Sequence, residues 1–127
     1  MEEAESLFRE LLEARKQVSE QDDFQVGRAI GGLAKTLEAA GKLEEALGYS
    51  QQALNHRMTY EGPDDWYTNR NRLDVARVLE KLGRNAEASA LLQELRNSMS
   101  RNNAPDDDDR QLINEAEELA RSMEKAL

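Results

Sequence analysis

Several groups of side chains in this 127-residue sequence have types and spacings that invite a chemical reading. Asp106, Asp107, Asp108 and Asp109 form a run of hard oxygen donors of the kind Ca²⁺ or Mg²⁺ favours. The run lacks the spaced alternation and the glycine of an EF-hand loop. It recurs as Pro63-Asp64-Asp65-Trp66 and Gln21-Asp22-Asp23-Phe24, ahead of segments with helical periodicity. There, carboxylates cap free amides and complement the helix dipole, so capping explains the recurrence and no metal or other cofactor is expected. His56 is the only histidine, which excludes a two-His metal centre within the chain. Neither Ser50 nor Ser89 stands at a spacing from it that suggests a nucleophilic triad. Gly27, Gly31 and Gly32 lack the preceding strand and the spacing of a phosphate loop. They read instead as places where helices approach closely, at some loss of helix propensity. None of these groups makes an enzyme.

Composition narrows the class. Lys and Arg number 17 against 26 Asp and Glu, a formal net charge of -9. Phosphate backbones repel such a chain unless it carries a strong local basic stripe, so nucleic acid is not the expected partner. There is no Cys, hence no disulfide framework and no thiol chemistry. The acidic start Met1-Glu2-Glu3-Ala4-Glu5-Ser6 is unlike a signal peptide, and no apolar run reaches the length of a membrane span. A soluble, cytoplasmic protein is expected. Aromatics make up only 5% of the residues, and Gly and Pro number 7 and 2. That composition suits helices layered on Ala and Leu better than a loop-rich β-protein.

The elements that position these residues repeat every 42 residues. Gly41 and Gly83 each close a Leu-rich stretch at that interval. The same step links Ala4, Ala46 and Ala88, then Leu11, Ala53 and Leu95, and pairs Leu37 with Leu79. Each unit reads as two helices. Val26, Ile30, Leu33, Ala34 and Leu37 share one helical face, Gly41 stops that helix, and Leu43, Ala46, Leu47, Ala53 and Leu54 mark the next. Pro63, after Glu61-Gly62, ends the unit. Leu73 to Leu82 and Ala88 to Leu95 repeat the pair, while Glu2–Val18 and Asp109–Leu127 supply flanking helices. The reading is about six helices, all-α, in which no unit buries its apolar face without its neighbours.

These residues resemble the tetratricopeptide repeat family, most clearly over Leu37, Gly41, Leu43, Ala46, Ala53 and Leu54, and again over Leu79, Leu82-Gly83, Ala88, Leu92 and Leu95. The usual period is about 34 residues; the longer one here is similar to the variant of kinesin light chains and many bacterial scaffold proteins. Ile30 and Arg72 stand where the family carries a large aromatic, and Ala34 and Ala76 where it carries Gly. The resemblance implies a right-handed α-α superhelix of antiparallel helix pairs. It implies one domain over 1–127, or part of a longer array. It also implies a protein or peptide partner in a concave groove lined by the first helix of each pair.

Carried across, the groove positions include Arg28, Lys35, Glu38 and Ala39 in one unit and Arg70, Leu73, Arg77, Glu80 and Lys81 in the next. Repeated cations on an acidic protein suit an acidic ligand, since Arg offers carboxylate a bidentate fork. The plainer alternative pairs Lys35 with Glu38 and Arg77 with Glu80 along their own helices. Phe24 and Trp66 share a repeat position and are expected to pack between units. Tyr60 and Tyr67 are rim contacts or plain surface residues. Self-association, or service as a regulatory segment of a larger protein, is the alternative function.

Overall fold

The computed structural model describes residues 2–18 and 23–125. Within them the chain forms six helices: α1 (Glu2–Val18), α2 (Asp23–Ala39), α3 (Leu43–Tyr60), α4 (Trp66–Lys81), α5 (Asn85–Met99) and α6 (Asp107–Lys125). Among the described residues there is no strand. Each helix packs on the next, and α2 with α3 and α4 with α5 make the closest pairs. No described helix is long and apolar enough to cross a membrane.

The punctuation is glycine. Gly41 and Gly83 adopt φ of 79° and 77°, a left-handed conformation that side chains disfavour. At both, the following amide reaches back to the final turn: Lys42 N–H donates to the Leu37 carbonyl at 2.9 Å and Arg84 N–H to that of Leu79 at 2.8 Å. One terminating motif, used twice a period apart, folds α3 back on α2 and α5 back on α4.

The interior is built from Leu and Ala. Leu33, Leu37, Leu95, Ala46, Ala53, Ala76, Ala88 and Ala116 are fully buried, and Leu79, Leu92 and Leu112 nearly so. The alanines let helix axes approach while the leucines fill the space between, each contributing roughly 1.5–3 kcal/mol on burial. The outer helices are graded differently. α6 buries Leu112, Ala116 and Met123, but one period after Ala76 and Leu79 it carries the exposed Glu118 and Arg121. α1 buries Leu12 and leaves Leu7 and Leu11 at 65% and 42% exposure.

The α3–α4 junction is tied down by polar groups. Gly62 turns with φ of 95°. The buried Arg72 guanidinium donates to the Pro63 carbonyl at 2.7 Å and to Asn69 Oδ1 at 2.6 Å. Asn69 in turn donates to Ser98 Oγ at 2.9 Å, and Ser98 to Asp64 Oδ1 at 2.8 Å. A cation at this place early in α4 pairs with the Pro63 carbonyl of the loop and with the Asn69 side chain, which an apolar side chain would leave without that donor.

The acidic clusters act in more than one way. Asp65 caps α4, accepting from Tyr67 N–H at 2.9 Å. Asp106 and Asp109 cap α6 reciprocally, each carboxylate accepting from the other's amide at 2.8 and 3.0 Å. Asp64 instead holds Ser98 and Arg101 of α5 and its flank. Gln21 and Asp22 lie outside the described residues, and Asp23 opens α2.

Candidate functional site

An open groove of about 660 Å³ runs between α1, α2 and α4, with Arg57 of α3 at its floor. α2 contributes Phe24, Gly27, Arg28, Gly31, Gly32 and Lys35, at spacings that keep them on one face. α4 contributes Trp66, Tyr67, Arg70, Asn71 and Asp74, and α1 closes one side with Phe8. A second concavity of about 570 Å³ continues toward the start of α6, sharing Trp66, Tyr67 and Arg70.

Each glycine of α2 has a different neighbour. A Cβ on Gly32 would lie 2.7 Å from the Phe8 ring, so this glycine seats α1 on α2. A Cβ on Gly27 would meet Arg57 Nε at 2.9 Å, so this one seats the guanidinium beneath the groove. Gly31 has nothing within 4 Å of that position. Close helix contact accounts for two of the three; the third faces open groove.

The aromatics stand in a line. Phe24 meets Tyr67 edge-on at 4.9 Å between ring centroids, and Tyr67 meets Trp66 at 5.1 Å. Phe24 therefore does pack between units, and it also lines the groove, at 36% exposure. Arg57, only 4% exposed, lies 4.5 Å from the Phe24 centroid and 5.1 Å from that of Tyr67. Its Nη1 pairs with Glu61 at 2.8 Å, while its buried Nε, like the Trp66 indole Nε1, has no hydrogen-bond partner among the described residues. The sequence reading missed Arg57; the only signal was a cation where the next unit, one period on, carries the buried Met99.

The cations expected in the groove, and Leu73 with them, divide. Arg28, Lys35 and Arg70 line it together. Arg28 and Lys35 are exposed and enter no ion pair among the described residues. Arg70 donates to Glu115 of α6 at 2.6 Å and lies 3.8 Å from Asp74. Leu73 is 3% exposed and belongs to the core: its side of α4 turns inward, away from the groove. Arg77 and Lys81 converge on Glu38 of α2, at 3.0 and 2.8 Å, outside the set that lines the groove.

That last cluster differs from the Lys35–Glu38 and Arg77–Glu80 pairs that i, i+3 spacing suggests. Glu38 takes its partners from α4, not from Lys35. Arg77 adds Asp74 at 3.1 Å instead of Glu80. Burial works to raise the Glu38 carboxyl, but hydrogen bonds and charge from Arg77 and Lys81 outweigh it and hold Glu38 below the ordinary carboxylate range. Arg77 is desolvated as well, and Glu38 and Asp74 keep it more firmly protonated than usual.

Among the described residues, no three acidic or imidazole groups converge as a metal site. His56 lies beside Tyr60, with ring centroids 4.6 Å apart, on the last turns of α3. The arrangement is an open, aromatic and cationic surface on rigid helices, suited to holding a ligand.

Residues 1–59, spanning α1 through nearly all of α3, match the family model described as Tetratricopeptide repeat. No curated protein matches the chain. The 42-residue unit that begins in the matched span continues through α4 and α5 with the same glycine stops and buried alanines, consistent with the long-period form of the repeat. Over residues 1–59 the chain is thus similar to the tetratricopeptide repeat family, whose repeats generally mediate protein–protein interactions, and the later helices continue the same pattern.

Proposed function

We propose that this protein is a cytoplasmic, non-catalytic interaction module whose groove between α1, α2 and α4 receives an extended peptide segment rich in Asp or Glu. One observation carries the reading. In a chain of net charge -9, Arg28 and Lys35 stand exposed with no ion pair among the described residues, in the same groove as Phe8, Phe24, Trp66 and Tyr67. Aromatic side chains offer apolar contact at little entropic expense, and exposed cations in a partly enclosed groove favour carboxylates and speed encounter. The rigid helices present the surface ready-made, which lowers the ordering cost of association.

Trp66, the only tryptophan, lines the groove and so reports on its occupancy. Titrating an alternating Glu–Ala peptide without aromatics changes Trp66 fluorescence in the wild type. In the Arg28→Glu, Lys35→Glu double variant the response is abolished while the helical circular dichroism is retained. A peptide response that persists unchanged in the variant contradicts the reading.

A second reading, self-association, is favoured by the exposed Leu7 and Leu11 on the outer side of α1. Light scattering over a range of concentrations separates the two. A mass that stays monomeric leaves Leu7 and Leu11 without a homotypic role.

A further inference from the structure

The groove's third cation is already occupied. Arg70 lines both concavities, at the point where they meet. Its Nη1 is held by the Glu115 carboxylate of α6 at 2.6 Å. Arg28, one period earlier in the chain, is exposed and unpaired among the described residues. Equivalent positions in the two units thus carry the same cation in two states, one open to a ligand and one closed by α6. We propose that Glu115 is an intramolecular competitor for acidic ligands: it sits where a ligand carboxylate would engage Arg70, and α6 thereby sets the affinity of the groove.

Three features support a displaceable contact. Both partners keep solvent access, with side-chain exposures of 25% for Arg70 and 39% for Glu115, and exposed pairs of this kind exchange partners at small free-energy difference. The contact joins helices 45 residues apart in sequence, and α6 packs more sparsely on α4 and α5 than the earlier helices do on their neighbours. Finally, Arg70 needs no other support to stay in place, because Asp74 lies 3.8 Å from its Nε one turn along α4. Release of Glu115 therefore frees the donor edge of Arg70 without leaving a buried charge alone. Beyond Arg70 the second concavity is lined by Asp106, Asp108 and Asp109, which repel further carboxylates, so the gain for an acidic ligand is confined to Arg70 itself.

This inference rests on the acidic-peptide reading of the groove, and its test keeps the two apart. Fluorescence polarisation with a fluorescein-labelled Glu–Ala peptide gives the affinities of the wild type, Glu115→Ala, Glu118→Ala, Arg70→Gln and the Arg70→Gln, Glu115→Ala pair. Glu118 lies on the same helix, is exposed, and forms no ion pair among the described residues, so it controls for simple loss of negative charge. Glu115→Ala is expected to tighten binding about fivefold, the scale of one exposed ion pair. Glu118→Ala should leave it near the wild-type value. The double variant should match Arg70→Gln, because Glu115 acts through Arg70 alone. Equal affinities for wild type and Glu115→Ala overturn the competition while leaving the groove reading intact. A tightening that survives in the Arg70→Gln background also overturns it. Absence of binding in every protein overturns the groove reading and the competition with it. If Glu115→Ala loses helical signal, Glu115→Gln replaces it under the same criteria.

Discussion

The Glu38 carboxylate of α2 accepts from the Arg77 guanidinium of α4 at 3.0 and 3.3 Å, joining consecutive units across the stack. Lys81 adds a third donor at 2.8 Å, and Glu38 is only 10% exposed. Buried or half-buried charge clusters of this kind fix geometry more than they add stability, since each ion gives up hydration to enter them. Here the cluster sets how α2 and α4 sit side by side, and hence how far apart Arg28 and Lys35 stand from Arg70.

Removing Glu38 alone is nonetheless felt as lost stability, because it strands the half-buried Arg77 charge. Glu38→Gln is expected to lower the unfolding free energy by about 1–2 kcal/mol at neutral pH, because Arg77 loses a charge-assisted partner in a half-buried place. The pH dependence follows from the lowered carboxyl. The folded state binds the Glu38 proton less readily than the unfolded chain, whose ordinary value is 4.5. The stabilisation is thus complete above about pH 4.5 and is lost as the pH falls through the lower folded value. Urea titrations of both proteins from pH 7 down to pH 3 should show the gap between them narrowing below pH 4.5.

Gly31 separates stability from binding. Its Cβ position is empty and it sits inside α2, so Gly31→Ala should stabilise the fold by roughly 0.5–1 kcal/mol through helix propensity. The added methyl points into the groove and should weaken peptide binding. Gly32→Ala gains less, because its methyl meets the Phe8 ring at 2.7 Å and α1 must shift. Thermal melts combined with the Trp66 titration check both orders.

Arg57 is dispensable to the repeat as such, since α5 uses Met99 at the same register. Among the described residues its buried Nε has no acceptor and its ion pair is with Glu61. Replacing both partners, as Arg57→Met with Glu61→Gln, should be neutral or stabilising by up to about 4 kcal/mol, the range seen when apolar groups replace buried pairs. Removing Glu61 alone leaves a buried guanidinium unpaired and should destabilise. Chemical denaturation of the single and double variants distinguishes these outcomes.

Most of the architecture was legible because it is periodic. Gly41 and Gly83 mark stops that only a left-handed residue satisfies, and Leu37, Leu79, Ala46 and Ala88 recur where helices must touch. Which side chains share the groove was harder to read. The family resemblance put Leu73 beside Arg70 in the groove, yet Leu73 is 3% exposed and packs in the core. Spacing paired Lys35 with Glu38, but the long Arg77 and Lys81 side chains reach Glu38 from the neighbouring helix, and only the three-dimensional approach of α4 reveals that. Phe8 and Arg57 enter from helices assigned to the other side of each pair, so no pattern within α2 or α4 announces them.

The central claim, that the α1–α2–α4 groove is the binding surface and that its free cations read acidic peptide, is tested most directly by amide and indole shifts. ¹H–¹⁵N spectra of the protein, titrated with the Glu–Ala peptide, should show saturable shifts of the Gly27, Gly31 and Gly32 amides and the Trp66 indole N–H. The same signals should stay fixed in the Arg28→Glu, Lys35→Glu variant. Shifts that map instead to the outer side of α1 or to the α5–α6 surface, or that persist in the variant, would contradict the account.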